Sequence, residues 1–302
     1  MKPRHSGKWL NLGLLASVAA FAAGASSARA DLTHRYSFTS DASDSVGGAN
    51  GTLMNIATVS GGQLRFNNPN FSPSSFVGGY LSLPPSILPS SGSVTIEEWF
   101  TFTGSGFFTE AYTFSNRQGG SNPPGPSNGQ YLMHTISNPQ GGPVPSAGGS
   151  SVAQSLAGYG GGAESRAFGT TPGIGAGGGG YLDDGGTYMA ATVIDGSAGT
   201  LSYYVFRVSD GVGGLQQTIP AIALSSYNFT DAFLGRSAFD ADNWTSGTVD
   251  EFRIYNNAKD SAGIFADFIA GPNVVPEPSS LALVGLGGLA LFLRRRSRSV
   301  VS

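Results

Sequence analysis

Apolar and polar side chains alternate along many short stretches between about residues 31 and 275, and Gly, Pro, Asn and Asp separate these stretches. In Leu32–Phe38, the even-numbered residues share one face and the odd-numbered residues share the other. A period of two is typical of a β-strand with one buried face. Ser93–Thr103 has the clearest pattern, and Gly247–Tyr255 repeats it near the end of the region.

The same pattern predicts further strands at 52–57, 63–67, 80–84, 112–116, 130–136, 187–194, 200–208, 221–225 and 232–235. The short connection Asp195–Gly199 predicts a hairpin between two of them. Only Ser261–Ala270 has the pattern of a helix in a soluble domain. Many short strands, frequent turn residues and almost no helix predict an all-β fold, an antiparallel sandwich.

Residues 119–180 differ in composition from the rest of the region, because these 62 residues include 19 glycines and few large apolar side chains. Such a stretch buries little surface and loses much chain entropy on ordering. We therefore expect a Gly-rich insertion that forms a long, partly disordered surface excursion. It contains no lysine, so it does not match a phosphate-binding loop.

Both ends of the chain are hydrophobic and are expected to act in export. Lys2, Arg4 and Lys8 precede an apolar region at 9–23, and Ala28-Arg29-Ala30 follows. This arrangement predicts a signal peptide at 1–30 that is cleaved before Asp31.

The opposite end begins with Pro276-Glu277-Pro278, continues with a 13-residue apolar run at 281–293 and ends in an arginine cluster. As a helix the run is ~20 Å long, which is short for the ~30 Å hydrocarbon core of a bilayer. The arginines would stay on the cytoplasmic side. An ordinary C-terminal anchor helix is the alternative to a segment that is read and then removed.

These three parts in this order resemble the PEP-CTERM class of proteins. The resemblance implies that 275–302 is a sorting signal, with Pro276, Glu277 and Pro278 as its motif and 281–293 as a transmembrane segment. It also implies an exosortase as processing partner. The expected location is the cell envelope, the cell surface or the extracellular matrix of a Gram-negative-type bacterium, with transient anchoring in the inner membrane.

The region between the two ends is acidic and contains no cysteine. Residues 31–275 carry 8 Arg plus Lys and 18 Asp plus Glu, a net charge of −10. Nucleic acids and anionic membrane surfaces require clustered positive charge, so neither is an expected partner, and the membrane is contacted only through the C-terminal tail. Cysteine-type zinc sites and disulfides are excluded.

The order of the predicted strands resembles the concanavalin A-like jelly roll in its laminin-G-like form, over roughly residues 31–270. The motifs that carry this resemblance are Tyr36-Ser-Phe38, the loop with Asp44, Gly47, Asn50, Gly51 and Thr52, the strand with Thr95, Ile96, Trp99 and Phe100, the stretch Phe233–Arg236, and the closing Gly247–Asn256. The chain departs from the pattern at Thr187-Tyr188-Met189, where related domains often have a Trp-His pair. The resemblance implies one domain at 31–274 that binds carbohydrate or protein without catalysis.

Such domains often contain a structural calcium ion, which prefers six to eight oxygen ligands. Asp44, Asn50 and Asp250 are the candidate ligands, because the resemblance makes the first and last strands neighbours. The alternative is that Asp44 and Asn50 are turn residues and that Asp250 pairs with an arginine. Trp244, flanked by Asp242 and Asn243, is the candidate sugar-binding aromatic; a partly buried loop tryptophan is the alternative.

An enzyme is not expected. A retaining glycosidase needs two carboxyl groups about 5 Å apart, whereas neighbours such as Glu97 and Glu98 point to opposite faces of a strand. A serine triad would require His34 or His134, and His34 alternates with apolar residues as a packed histidine does. The alternatives to a non-catalytic surface glycan-binding domain are a glycoside hydrolase on the same scaffold and a purely structural matrix protein.

Overall fold

The computed structural model describes residues 32–68, 78–104, 108–116, 129–138, 149–157, 164–170, 174, 180–239 and 241–274. These residues form fifteen strands, two short 3-10 turns and one α-helix. The predicted signal peptide, sorting motif and transmembrane segment lie outside the described residues. Within them, no helix has both the length and the apolar character that a bilayer crossing requires.

The strands in chain order are β1 (Leu32–Tyr36), β2 (Thr52–Met54), β3 (Thr58–Ser60), β4 (Gln63–Arg65), β5 (Tyr80–Leu83), β6 (Val94–Thr103), β7 (Thr109–Ser115), β8 (Tyr131–Asn138), β9 (Gly149–Ser155), β10 (Ser165–Phe168), β11 (Asp184–Asp195), β12 (Thr200–Arg207), β13 (Gly213–Pro220), β14 (Asp231–Leu234) and β15 (Ser246–Tyr255). The helix α1 is Ser261–Ala270. The 3-10 turns are Pro85–Ile87 and Leu224–Ser226.

Two antiparallel sheets form a sandwich. The first sheet has the order β13-β12-β11-β6-β15-β4-β3, and β1 also pairs with β15. The second sheet has the order β10-β9-β8-β7-β14-β5-β2. The predicted sandwich and the predicted neighbourhood of the first and last strands are therefore confirmed.

The main core lies between the two sheets, where the period-two pattern places the large apolar side chains. In β15, Phe252 and Ile254 face this core, as predicted, and both are fully buried. Aromatic side chains fill much of it; they include Tyr36, Phe38, Phe66, Phe100, Phe102, Tyr112 and Phe114. Burial of these apolar side chains is the main source of stability in a chain without disulfides.

The predicted helix is observed at the predicted residues. The Asp260 side chain begins it by accepting a hydrogen bond of 2.8 Å from the Gly263 N–H, and Gly271 ends it with a φ of 78°. An N-terminal carboxylate cap and a C-terminal glycine with positive φ are the expected boundary signals. The helix covers the outer face of the first sheet, where Ile264 packs in a cluster with Trp99 and Phe206.

The prediction of a surface excursion at 119–180 is wrong for the residues that the structure describes. The strand predicted at 130–136 is confirmed as β8, whereas β9 and β10 were not predicted. All three strands come from this stretch and extend the second sheet beyond β7. Small Gly, Ser and Ala residues supply little hydrophobic signal, but they allow a strand to be covered on both faces, and β8 and β9 are buried at every position. The pattern also missed β3 and β13, and 221–225 is no strand.

Candidate functional site

The outer face of β7, β8 and β9 is buried although its side chains are polar. Thr113 and Ser115 of β7, and Thr135 and Ser137 of β8, have buried hydroxyl groups without a hydrogen-bond partner among the described residues. Buried polar groups in proteins are nearly always paired, and an unpaired one costs about 1–3 kcal/mol. Such a buried layer of unpaired hydroxyl groups costs free energy without adding apolar packing, which makes this face unusual within the domain.

Glu110 lies on this face in β7, at a bulge where it pairs with Thr135 of β8. Its side chain is fully buried, and neither carboxylate oxygen has a hydrogen-bond partner in the part of the chain that the structure describes. Burial raises the pKa of Glu110 well above its usual range, and the nearby Asp242 carboxyl raises it further. The Ser237 and Thr135 hydroxyls oppose this rise in pKa, although neither makes a hydrogen bond of normal geometry to Glu110.

Asp242 approaches Glu110 from the loop that follows β14. Its Oδ2 accepts a hydrogen bond of 2.5 Å from the Ser237 hydroxyl, and the residue is partly exposed. Burial of the carboxyl raises the pKa of Asp242 to about 7, while Ser237 and the positive charge of Arg166 act against that rise. Two carboxyl groups that disfavour each other's ionisation retain a proton between them near neutral pH.

An ion pair between Arg166 of β10 and Glu164, which precedes that strand, lies on the same outer face of the second sheet. Arg166 of β10 donates from Nε to Glu164 at 2.6 Å and from Nη1 to the Ser151 hydroxyl at 3.1 Å. The Tyr131 hydroxyl donates to the other Glu164 oxygen at 2.6 Å. The Arg166 guanidinium is held in place on the outer face and lowers the pKa of both Glu110 and Asp242.

The predicted sugar-binding residues occupy three different environments. Asp242 lies beside Glu110, as described, and the Asn243 N–H donates to the Phe108 carbonyl at 3.0 Å. Trp244 is only 9% exposed and stacks on Tyr80 with ring centroids 6.1 Å apart. The Trp244 ring therefore belongs to an aromatic cluster with Phe233, which matches the alternative of a buried loop tryptophan. Ligand contact by these three residues stays a prediction.

Of the predicted calcium ligands, Asp44 and Asn50 meet in one loop. Burial acts to raise the pKa of Asp44, but hydrogen bonds from Arg35, His34, Gly47 and Ala49 outweigh it and lower the pKa to about 2. Asn50 Oδ1 accepts a hydrogen bond of 3.0 Å from the Asp44 N–H.

Asp250 accepts a hydrogen bond of 2.7 Å from Gln63 instead of pairing with an arginine. Within the described ranges, no group of three or more His, Cys, Asp or Glu side chains is arranged to hold a metal. Calcium stays a prediction, for which asparagine and backbone oxygens would have to supply most of the ligands.

The two histidines that remain after the predicted signal peptide cleavage contact carboxylates but differ in exposure. His34 Nδ1 lies 2.7 Å from Asp44 Oδ2 near the surface. His134 is fully buried between the sheets, where Nδ1 contacts Glu98 and Nε2 lies 2.8 Å from the Tyr203 hydroxyl. Glu97 points to the opposite face, where it accepts a hydrogen bond of 3.1 Å from Lys259. Adjacent glutamates therefore serve separate layers, as predicted.

Sequence reasoning missed Glu110 because it searched for carboxylates on the same strand. Glu110 and Asp242 come from distant parts of the chain, and only the pairing of β7 with β14 brings their surroundings together. A weak signal was available, since Glu110 is the second residue of the strand Thr109–Ser115, which also contains two Thr and one Ser.

Comparison with known proteins identifies one end of the chain. Residues 274–296 match the PEP-CTERM protein-sorting motif. No characterised protein sequence is similar enough to count as a relative.

Several solved structures are similar in architecture. The binding domain of botulinum neurotoxin serotype D/C is 13% identical with a TM-score of 0.49, over 79% of this chain and 52% of that one. The CBM40 domain of the Ruminococcus gnavus IT-sialidase is 11% identical with a TM-score of 0.42, over 71% and 97%. The match therefore spans about half of the toxin chain. At these identities and TM-scores, the similarities say nothing about what this chain binds.

The fold and the matched motif define the class: this is an antiparallel β-sandwich protein with a C-terminal sorting signal. In particular, it carries a PEP-CTERM motif, which indicates an exported protein that is associated with the cell surface or envelope.

Proposed function

We propose that the protein is an exported, non-catalytic surface domain that binds a neutral carbohydrate on the outer face of β7–β10. One observation carries this proposal: Glu110 is fully buried with both carboxylate oxygens unpaired by any described residue, on a surface of similarly unpaired hydroxyl groups. A sugar presents hydroxyl groups that both donate and accept, so it can satisfy such a surface without bringing a charge into it.

The electrostatics of the site favour a neutral ligand. Burial raises the pKa of both Glu110 and Asp242, so near neutral pH these carboxyl groups carry little charge with which to bind a charged ligand. Arg166 already forms an ion pair with Glu164, with 2.6 Å between Nε and the carboxylate, so its positive charge is largely neutralised within the protein. The acidic character of residues 31–275 also opposes anionic ligands.

The finer details of location are also proposals. The tail at 275–302 would be processed by an exosortase while it is anchored in the inner membrane, and the domain would then reach the envelope or an extracellular polysaccharide. The concanavalin A-like or laminin-G-like jelly roll remains the proposed fold family, on the motifs given above. A calcium ion at Asp44, Asn50 and Asp250 remains a proposed structural cofactor.

A glycan array with the exported protein tests the binding proposal. We expect Glu110→Leu to lose binding to the sugar that the wild type retains, since an apolar side chain of similar size offers neither a donor nor an acceptor. Glu97→Leu is the matched control, because Glu97 is an equally buried glutamate on the opposite sheet. Equal binding by the wild type and Glu110→Leu would refute the proposed site, and binding to no sugar would refute the function.

A glycoside hydrolase is the second candidate, and the Glu110–Asp242 pair is the observation that favours it. A raised carboxyl pKa beside a second carboxyl is the arrangement that general acid catalysis uses. Release of reducing sugar from a polysaccharide by the wild type, but not by Asp242→Asn, would establish this candidate and overturn the non-catalytic proposal.

A further inference from the structure

The exposed face of helix α1 carries no charge. Its exposed residues are Ser261, Ala262, Phe265, Ala266 and Ile269. The single charged side chain of the helix, Asp267, is buried and pairs with Lys259. A helix on the surface of a soluble domain normally has the opposite arrangement, with charges outside and apolar residues inside. Helix α1 is therefore unusually apolar toward its surroundings.

The apolar surface extends beyond the helix. Phe265 is 51% and Ile269 is 66% exposed. The neighbouring hairpin of β12 and β13 approaches α1 at Phe268 and adds exposed Val208, Val212 and Leu215. We call these five exposed residues, Phe265, Ile269, Val208, Val212 and Leu215, the helix patch. Exposed apolar residues on adjoining elements are the composition expected of an interaction surface.

The described chain ends at Val274, four residues after the end of α1. The buried Arg253 side chain donates from Nη2 to the carbonyl oxygens of Pro272 at 2.6 Å and Val274 at 3.1 Å. The same guanidinium is fixed by Glu251 at 2.8 Å and lies over the Trp99 ring. Pro272 and Val274, which follow α1, are thus held against the domain, and these contacts fix the position from which the tail begins.

This attachment limits how far the domain can move from the membrane. The apolar run of the tail begins at Leu281, seven residues after Val274. Seven extended residues span at most ~25 Å. A tail inserted in a bilayer would therefore hold Val274 within ~25 Å of the lipid. The end of helix α1 would stay near the membrane, where even a weak interfacial affinity suffices because the effective concentration is high.

We propose that the helix patch lies on the surface of the bilayer that holds the tail, with Phe265 and Ile269 at the boundary between head groups and acyl chains. The proposal rests on the proposed membrane insertion of the tail and goes beyond it by assigning a second membrane contact, in place of the expectation that only the tail touches the membrane. An uncharged helix face with aromatic and aliphatic side chains is suited to this boundary. Before the tail is removed, this contact orients the domain so that the sorting motif lies against the membrane.

The absence of cysteine from the chain permits a direct test. Single cysteines are introduced by Ile269→Cys, Ile56→Cys and Ala290→Cys in the full-length protein and labelled with an environment-sensitive fluorophore. Each labelled protein is reconstituted into phosphatidylcholine vesicles with and without nitroxide-bearing lipids. Ile56 is the matched control, because it is an exposed isoleucine next to β3, at the opposite edge of the first sheet from β13. Ala290 reports whether the tail is inserted.

We expect blue-shifted emission and several-fold stronger quenching by nitroxide lipids at position 269 than at position 56, with strong quenching at position 290. Adding Phe265→Ser should reduce the quenching at position 269 and leave position 290 unchanged. Quenching at 290 with equal, weak quenching at 269 and 56 would overturn the membrane contact and leave tail insertion intact. No quenching at 290 would overturn both. A blue shift at 269 without lipid quenching would also overturn the proposal, since another protein surface would then cover the patch.

Discussion

Replacement of Asp242 by asparagine should stabilise the protein at neutral and alkaline pH. The pKa of Asp242 is raised from 3.8 to about 7, so the folded protein binds this proton more tightly than the unfolded chain does. The folded state is favoured most when the group is protonated in both states, below pH 4. That stability is lost as the pH rises toward 7, and the Asp242→Asn variant keeps it because an amide does not ionise.

The size of the effect follows from the pKa difference. Each pH unit between the two pKa values costs about 1.4 kcal/mol for one proton. The interval from 3.8 to about 7 therefore corresponds to about 4 kcal/mol at pH 8, as an upper value because Asp242 is partly exposed.

Urea denaturation at pH 4, 6 and 8 measures the difference in the free energy of unfolding between the variants. The wild type and Asp242→Asn should be similar at pH 4 and should diverge in favour of the variant as the pH rises. Asp210→Asn is a suitable control, since Asp210 is an exposed carboxylate paired with Arg207. If the difference between wild type and Asp242→Asn were the same at all three pH values, the raised pKa would be refuted.

Three further predictions concern the frame around the site. Asp44→Asn should lower the free energy of unfolding by about 2 kcal/mol at pH 7, because the pKa of Asp44 is lowered to about 2; the loss should vanish as the pH falls toward 2, and a pH-independent loss would contradict it. Gly78→Ala should destabilise the fold by about 1–3 kcal/mol, since the added Cβ would lie 2.4 Å from the Trp244 ring; an unchanged thermal midpoint would refute this. Tyr203→Phe should cost about 1–3 kcal/mol in chemical denaturation, because its hydroxyl bonds to His134 at 2.8 Å, and a neutral result would mean that this buried contact contributes nothing.

The amino-acid pattern alone was enough to predict the first sheet's long strands. Strands β6 and β15 have large side chains that alternate with polar ones. Strands β11 and β12 are instead continuous runs rich in β-branched and aromatic residues, and the connection Asp195–Gly199 forms the predicted hairpin between them. Helix α1 was predicted to the residue, since Asp260 and Gly271 mark its ends. These features depend on neighbours in sequence, and local patterns report them directly.

Only the tertiary structure decided strands β9 and β10 and the candidate site on the second sheet. Gly149, Ser150 and Ser151 have little intrinsic preference for a strand, and they form β9 because β8 and β10 supply hydrogen bonds on both sides. Glu110 and Asp242 become a coupled pair because burial and mutual repulsion act through space, and these depend on which strands are neighbours. A period along the chain reports which face of a strand is apolar, but it cannot report what will cover the other face.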